Sequence, residues 1–314
     1  YDFKQVITRR DLAIKLDTTK VYDGTAFVND YTATTSGWTI TGLQNGATIT
    51  AGKVTSKNKD VATYAYTGTA APATTDDMTI TTAFTTSDGI SNYNVSYDFK
   101  QVITRRNLAI KLDTTKVYDG LQFECNYTVT TNGWTITGLQ NGATLTAGTV
   151  RSLNSNVGTY THTGTESSVI VDEMAILAFT TSDDINNYSV NYNFRMEITK
   201  RDLTIKLDTT KVYDGTAFVN DYTATTSGWT ITGLQNGASI TSGKVTSASK
   251  DATTYSYTGT TAPATTDQVT ITTVFTTSDG ISNYNVSYDF KQVITKHALA
   301  ITLDTTKVYD GLQM

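Results

Sequence analysis

The sequence predicts an all-β protein built from tandem copies of one domain of about 96 residues. Three observations carry this expectation. Threonine supplies roughly a fifth of the 314 residues and tyrosine another 19, a bias toward side chains that favour extended strands. The string Lys20-Val21-Tyr22-Asp23-Gly24 returns at Lys116 to Gly120, Lys211 to Gly215 and Lys307 to Gly311, at intervals of 96, 95 and 96 residues. Apolar and polar residues alternate with a period of two, and no segment shows a helical period.

Trp38, Trp134 and Trp229 keep the same spacing. A unit of this size can bury a core of its own, so the copies are expected to be domains and not turns of a solenoid. The expected boundaries are 1–8 for the tail of a preceding repeat, 9–104, 105–199 and 200–295 for three full repeats, and 296–314 for the start of a fourth. The chain thus reads as a window on a longer array. Copies 1 and 3 are nearly identical, whereas copy 2 has drifted and is the more informative comparison.

Each element follows from local pattern. Leu12, Ile14 and Leu16 alternate with polar residues as an entry strand with one buried face. Trp38-Thr39-Ile40-Thr41 and Ala47-Thr48-Ile49-Thr50 form two further extended runs, separated by Asn45-Gly46. Both turn residues tolerate positive φ, which predicts a type I′ turn and a hairpin; Asn141-Gly142 and Asn236-Gly237 repeat it. Ser87-Asp88-Gly89 marks a turn before the closing strand. There Tyr93, Val95, Tyr97, Phe99 and Ile103 share one parity, and Leu108, Ile110 and Leu112 resume in the other, so a bend is expected near Arg105-Arg106. Seven or eight short strands per unit point to a sandwich-like domain. An immunoglobulin-like sandwich and a β-grasp-like domain both suit the pattern.

Composition removes several functions. The formal charge of -5 argues against nucleic acid as a partner, since phosphate contacts need Lys and Arg. No apolar run is long enough to span a bilayer, so no membrane insertion is expected. One cysteine, Cys125, excludes a disulfide framework. His162 and His297 have no counterparts in the other copies and read as solvated surface, not as parts of a triad or a metal site. All four Glu lie in or at the end of copy 2 and no phosphate loop is present, so no enzymatic activity and no cofactor is expected.

Weaker chemistries can be weighed residue by residue. Asp88, Asp183 and Asp184 sit in turns with too few acids for a calcium loop and read as turn residues. An intramolecular isopeptide bond would need a buried Lys such as Lys20 and an acceptor such as Asn92 or Asn94; the simpler reading leaves the Lys20 charge in water beside Tyr22. Trp38, Trp134 and Trp229 share a strand face with an Ile and are core candidates rather than sugar-stacking platforms. The Thr-x-Thr strings are too short and too often broken by turns for an ice-binding rank.

Taken with Ile7-Thr8-Arg9-Arg10-Asp11-Leu12 at the entry, Thr41-Gly42-Leu43 with Asn45-Gly46, Asn156-Val157-Gly158-Thr159-Tyr160 and Asn92-Tyr93, the Tyr-Asp-Gly strings give the chain a resemblance. It resembles the YDG/MBG-type repeat domains of bacterial cell-surface adhesins over essentially its whole length. The resemblance implies stalk or spacer modules of a large secreted protein at the bacterial surface, projecting an adhesive tip, with neighbouring repeats as partners. The alternative is a set of repeats that bind host glycan or surface protein, gaining avidity by number. It also implies a structural turn at Tyr22-Asp23-Gly24, Tyr118-Asp119-Gly120 and Tyr213-Asp214-Gly215, with Gly at positive φ and Asp bonded to nearby amides. Only about four residues separate one repeat's last strand from the next repeat's first, without a Pro, Gly or Ser linker, so a stiff elongated rod is expected.

Overall fold

The computed structural model describes residues 1–128, 132–166, 170–171 and 173–312. In the first repeat the strands are β1 (Arg10–Val21), β2 (Val28–Asp30), β3 (Trp38–Thr41), β4 (Ile49–Ser56), β5 (Ala62–Gly68), β6 (Met78–Thr86) and β7 (Tyr93–Thr104). They make a four-stranded sheet of order β3-β1-β7-β5 and a three-stranded sheet of order β2-β4-β6.

β1 and β7 pair in parallel over twelve residues, from Arg10 opposite Tyr93 to Val21 opposite Thr104. The repeat therefore enters at one end of this sheet and leaves at the other, a run of about 40 Å. β3 and β5 flank the pair antiparallel, and β4 is antiparallel to both β2 and β6. The β4–β6 register slips between Ile49 and Val54.

The core lies between the sheets. Leu12, Ile14 and Leu16 of β1 and Phe99 and Ile103 of β7 are buried with Val54, Met78 and Phe84 of the other sheet. Phe84 stacks on Phe99 at 6.0 Å and meets Trp38 edge-on at 5.5 Å. Gly52 makes room for that ring, since a Cβ there would lie 2.2 Å from Phe84 Cδ1.

The arrangement recurs twice. The second repeat has β8 (Arg106–Val117), β9 (Glu124–Asn126), β10 (Trp134–Thr137), β11 (Leu145–Ser152), β12 (Gly158–Gly164), β13 (Ile170–Val171), β14 (Met174–Thr181) and β15 (Tyr188–Thr199), in orders β10-β8-β15-β12 and β13-β14-β11-β9. The third has β16 (Arg201–Val212), β17 (Val219–Asp221), β18 (Trp229–Thr232), β19 (Ile240–Ser247), β20 (Thr254–Gly259), β21 (Val269–Thr277) and β22 (Tyr284–Thr295), in orders β18-β16-β22-β20 and β17-β19-β21. The extra strand β13 falls in the loop that carries Pro72 and Pro263 in the other copies, where a missing N–H and a fixed φ disfavour pairing. The described helices are three 3₁₀ turns, Ile90–Asn92, Ile185–Asn187 and Ile281–Asn283.

The chain divides into two compact units. One comprises Tyr1–Thr114, Glu124–Leu153 and Tyr160–Met196; the other comprises Thr115–Phe123, Asn154–Thr159 and Glu197–Met314. The division does not follow the sequence repeat. Two short loops of the second repeat, around Tyr118 and Asn156, belong with the third repeat's unit.

Three local expectations change. Asn45 and Gly46 adopt φ of 49° and 74°, as a type I′ turn requires, but β3 and β4 lie in different sheets. The turn is a crossover between sheets and not a hairpin, because Gly42-Leu43-Gln44 carries the chain off the edge of the first sheet before the reversal. Between β7 and β8 only Arg105 is unpaired, so the linker is one residue and not four. Residues 296–312 form no strand, although Leu299, Ile301 and Leu303 repeat the pattern of β1. In each full repeat that strand is held by pairing with the repeat's own closing strand. The rest of this expected segment, 313–314, lies outside the described residues.

Candidate functional site: the Tyr-Asp-Gly junction

The Tyr-Asp-Gly loop begins where β1 ends. Lys20, its side chain largely covered, places Nζ 2.8 Å from Asp23 Oδ1 and donates to the carbonyls of Thr25 and Ala26 at 2.8 and 3.2 Å. The ammonium also lies 5.4 Å from the Phe27 ring centroid. Asp23 Oδ1 accepts in addition from the Thr25 amide at 2.9 Å and its hydroxyl at 2.7 Å. Burial raises the Asp23 pKa, but hydrogen bonds from Lys20 and Thr25 outweigh it and hold the carboxyl below its ordinary value. Gly24 turns the chain at φ 78°.

The same clamp closes between Lys116 and Asp119, between Lys211 and Asp214, and between Lys307 and Asp310. The last forms with no strand around it, so the clamp is a property of the local sequence. Lys20 is thus neutralised within its own loop and does not project into water. The isopeptide geometry is also absent: Lys20 and the acceptors Asn92 and Asn94 lie at opposite ends of the β1–β7 pair.

Tyr22 is fully buried, and what buries it is the next repeat. Within the first unit its hydroxyl donates to Asp183 Oδ2 at 3.0 Å, and its ring meets Tyr188 edge-on at 5.4 Å. Tyr188 donates to the same carboxylate oxygen at 2.6 Å. Beside them Asn187 bridges the two repeats: Oδ1 accepts from the Val61 amide at 2.8 Å and Nδ2 donates to Asp60 Oδ1 at 3.0 Å. Asn141 donates to the Gly24 carbonyl at 3.3 Å, and a Cβ on Gly24 would lie 2.6 Å from Asn141 Cβ. Gly24 is therefore required twice, by its backbone and by its neighbour. Burial first, then the bond to Asp183, pushes the Tyr188 phenol up to about 12 and the Tyr22 phenol well above its usual range.

Within the second unit the geometry returns. Tyr118 donates to Asp279 Oδ2 at 2.9 Å and meets the Tyr284 ring at 5.4 Å. Asn283 Oδ1 accepts from Val157 at 2.9 Å while its Nδ2 donates to Asn156 Oδ1 at 3.3 Å, and Asn236 donates to the Gly120 carbonyl at 3.3 Å. Tyr213 is 37% exposed, and a Cβ on Gly215 would meet nothing within 4 Å.

The remaining expected positions are placed as follows. Trp38, Trp134 and Trp229 are half-buried, each edge-on to two phenylalanines of the sheet-to-sheet cluster. His162, expected at the surface, is 3% exposed and packs against Phe194. It takes the place of Tyr66 on a strand whose partner face is aromatic, which period-2 reasoning alone did not weigh. Among the described residues no three His, Cys, Asp or Glu side chains gather as they would around a metal. No helix among them is long and apolar enough to cross a membrane.

Sequence reasoning missed the receiving half of the junction. Its signal was available: Asp183-Asp184-Ile185-Asn186-Asn187-Tyr188 keeps the Asp, Asn and Tyr of Asp88-Gly89-Ile90-Ser91-Asn92-Tyr93 despite the drift of copy 2. Each of those three residues also has a local role, and the local role was read first.

No family model and no curated protein matches this chain. Among solved structures, the crystal structure of the I9–I11 tandem from titin is similar at 7% identity and a TM-score of 0.20, over 93% of this chain and 99% of that one. At that score the likeness carries no argument.

Proposed function

We propose that the repeats are stalk modules of a bacterial surface adhesin, immunoglobulin-like in type, that hold an adhesive tip away from the cell. The observation that carries this reading is the junction. A one-residue linker and a buried Tyr–Asp–Asn latch, formed in each unit, suit a module whose work is to fix its neighbour. The parallel β1–β7 pair suits extension as well, because each repeat gains nearly its full length between entry and exit. The facing second sheet favours a sandwich over a β-grasp, which covers its sheet with a helix.

Small-angle scattering on the 314-residue chain tests the stalk. Three repeats stacked end to end should give a maximum dimension above about 100 Å, and a compact particle would overturn the reading.

A second reading has its own support. The half-buried Tyr97 and Arg9 of the first repeat line an open recess that would admit a sugar ring. Reproducible glycan-array binding, abolished by Tyr97→Ala, would favour multivalent adhesion by the repeats themselves.

A further inference from the structure

The three homologous turns Gln44-Asn45-Gly46-Ala47, Gln140-Asn141-Gly142-Ala143 and Gln235-Asn236-Gly237-Ala238 are an internal experiment. Their backbones coincide: the Asn φ values are 49°, 51° and 50°, those of Gly 74°, 75° and 75°, and each Ala amide donates to its Gln carbonyl at 2.9 Å. Their surroundings differ. Asn141 and Asn236 each bond a glycine carbonyl of the preceding repeat and pack Cβ against that glycine. Among the described residues nothing reaches the Asn45 amide.

Asn-Gly is the dipeptide most open to spontaneous deamidation, because glycine presents no side chain to hinder its own nitrogen. Gly46 N, giving up its proton to water, forms a bond to Asn45 Cγ; the Cγ–Nδ2 bond breaks and ammonia leaves. Water then opens the cyclic imide at either carbonyl, giving aspartate or isoaspartate. The net exchange of NH₂ for OH adds about 1 Da and one negative charge. The step requires the side chain to swing until Cγ stands about 3–3.5 Å from the glycine nitrogen. At Asn141 and Asn236 that swing must first break the bond across the junction.

We infer that the junction shields the Asn-Gly turn it covers, Asn141 and Asn236 here, from the spontaneous deamidation open to an uncovered turn of the same backbone. The consequence is reciprocal. Deamidation of Asn141 replaces the donor facing the Gly24 carbonyl with a carboxylate, so a junction that opens long enough to react does not reclose as before. Hydrolysis thereby records which junctions have been open. The inference rests on the observed contacts and stands whether the array is a stalk or a binding surface.

The test is peptide mapping of the intact 314-residue chain after ageing at neutral pH and 37 °C, resolving these peptides from that of Asn132-Gly133. Asn45 should convert about fivefold faster than Asn141 or Asn236, the factor expected for one net hydrogen bond. In the Tyr22→Ala variant Asn141 should approach the Asn45 rate while Asn236 stays slow, which also controls for global unfolding. Equal rates at the three sites, no conversion at Asn45, or an Asn141 rate indifferent to Tyr22→Ala would each overturn the inference.

Discussion

Tyr22 and Asp183 stand 161 residues apart in sequence and 3.0 Å apart in the fold. The tyrosine of one repeat's turn is completed as a buried residue by the carboxylate of the next repeat's turn. The same pairing, at the same separation of 161, joins Tyr118 to Asp279.

This relationship can be read locally through the Val61 amide, whose acceptor, Asn187 Oδ1, belongs to the neighbouring repeat. Tyr22→Phe removes one hydrogen bond of about 1 kcal/mol. Exchange of the Val61 amide should then quicken by about fivefold. Tyr213→Phe, at a half-exposed tyrosine, should leave stability within about 0.5 kcal/mol of the parent. Unchanged exchange at Val61 would mean that the Tyr22–Asp183 bond does not hold the junction.

A second comparison isolates packing from backbone strain. Gly24→Ala and Gly215→Ala place a Cβ at nearly equal φ, 78° and 81°, and each should cost about 1–2 kcal/mol for the left-handed conformation. Only the first also drives a Cβ to within 2.6 Å of Asn141 Cβ. Urea denaturation should find Gly24→Ala more destabilising by about 1 kcal/mol or more. Equal costs would show that the neighbouring repeat yields freely.

Alkali should loosen the junctions. Tyr118 and Tyr188 have phenol pKa values raised from 10.0 to about 12, by burial first and then by their bonds to Asp279 and Asp183. Below pH 10 these phenols are protonated in folded and unfolded chains alike, and stability does not depend on them. Above it the unfolded chain ionises first, so the stabilisation is lost as pH rises through about 12. Urea midpoints measured from pH 9 to 12 should fall, and fall less in a Tyr22→Phe, Tyr118→Phe double variant. Equal slopes in the two proteins would refute the assignment.

The drift of copy 2 supplies a fourth experiment. Gln101 is fully buried in the first repeat and donates to Asn29 Oδ1 and to the Phe27 carbonyl; Gln292 does the same to Asn220 and Phe218 in the third. In the second repeat the pair has become Met196 and Cys125, both buried. Gln101→Met alone should cost about 1–3 kcal/mol, because buried polar groups lose their donor. Adding Asn29→Cys should recover most of it, with a coupling above about 0.5 kcal/mol in a double-mutant cycle. Additive costs would mean that the two positions drifted independently.

Much of this was legible in one dimension. Alternation placed Leu12, Ile14, Leu16 and Phe99 inside, because a strand's side-chain period is local and its meaning does not depend on the partner. The Asn45-Gly46 turn was equally local. The Lys20–Asp23 clamp is local too, closing even at Lys307 and Asp310 without a domain around it, but the sequence reading left the Lys20 charge in water. Gln101 escaped notice because it occupies an inward position of the closing strand, where a polar residue contradicts the pattern until its partner on β2 is known.

What the sequence determined by itself was the all-β class, the repeat and the turns, all of which depend on neighbours a few residues away. Tertiary structure alone decided that Asn45-Gly46 joins two sheets, that His162 is buried, and that Tyr22 is the donor half of a latch whose receiver is Asp183. The physical reason is that a tyrosine at a strand end and an aspartate in a turn are each satisfied by water in isolation. Their mutual burial is specified by a surface that exists only once two domains have folded and met.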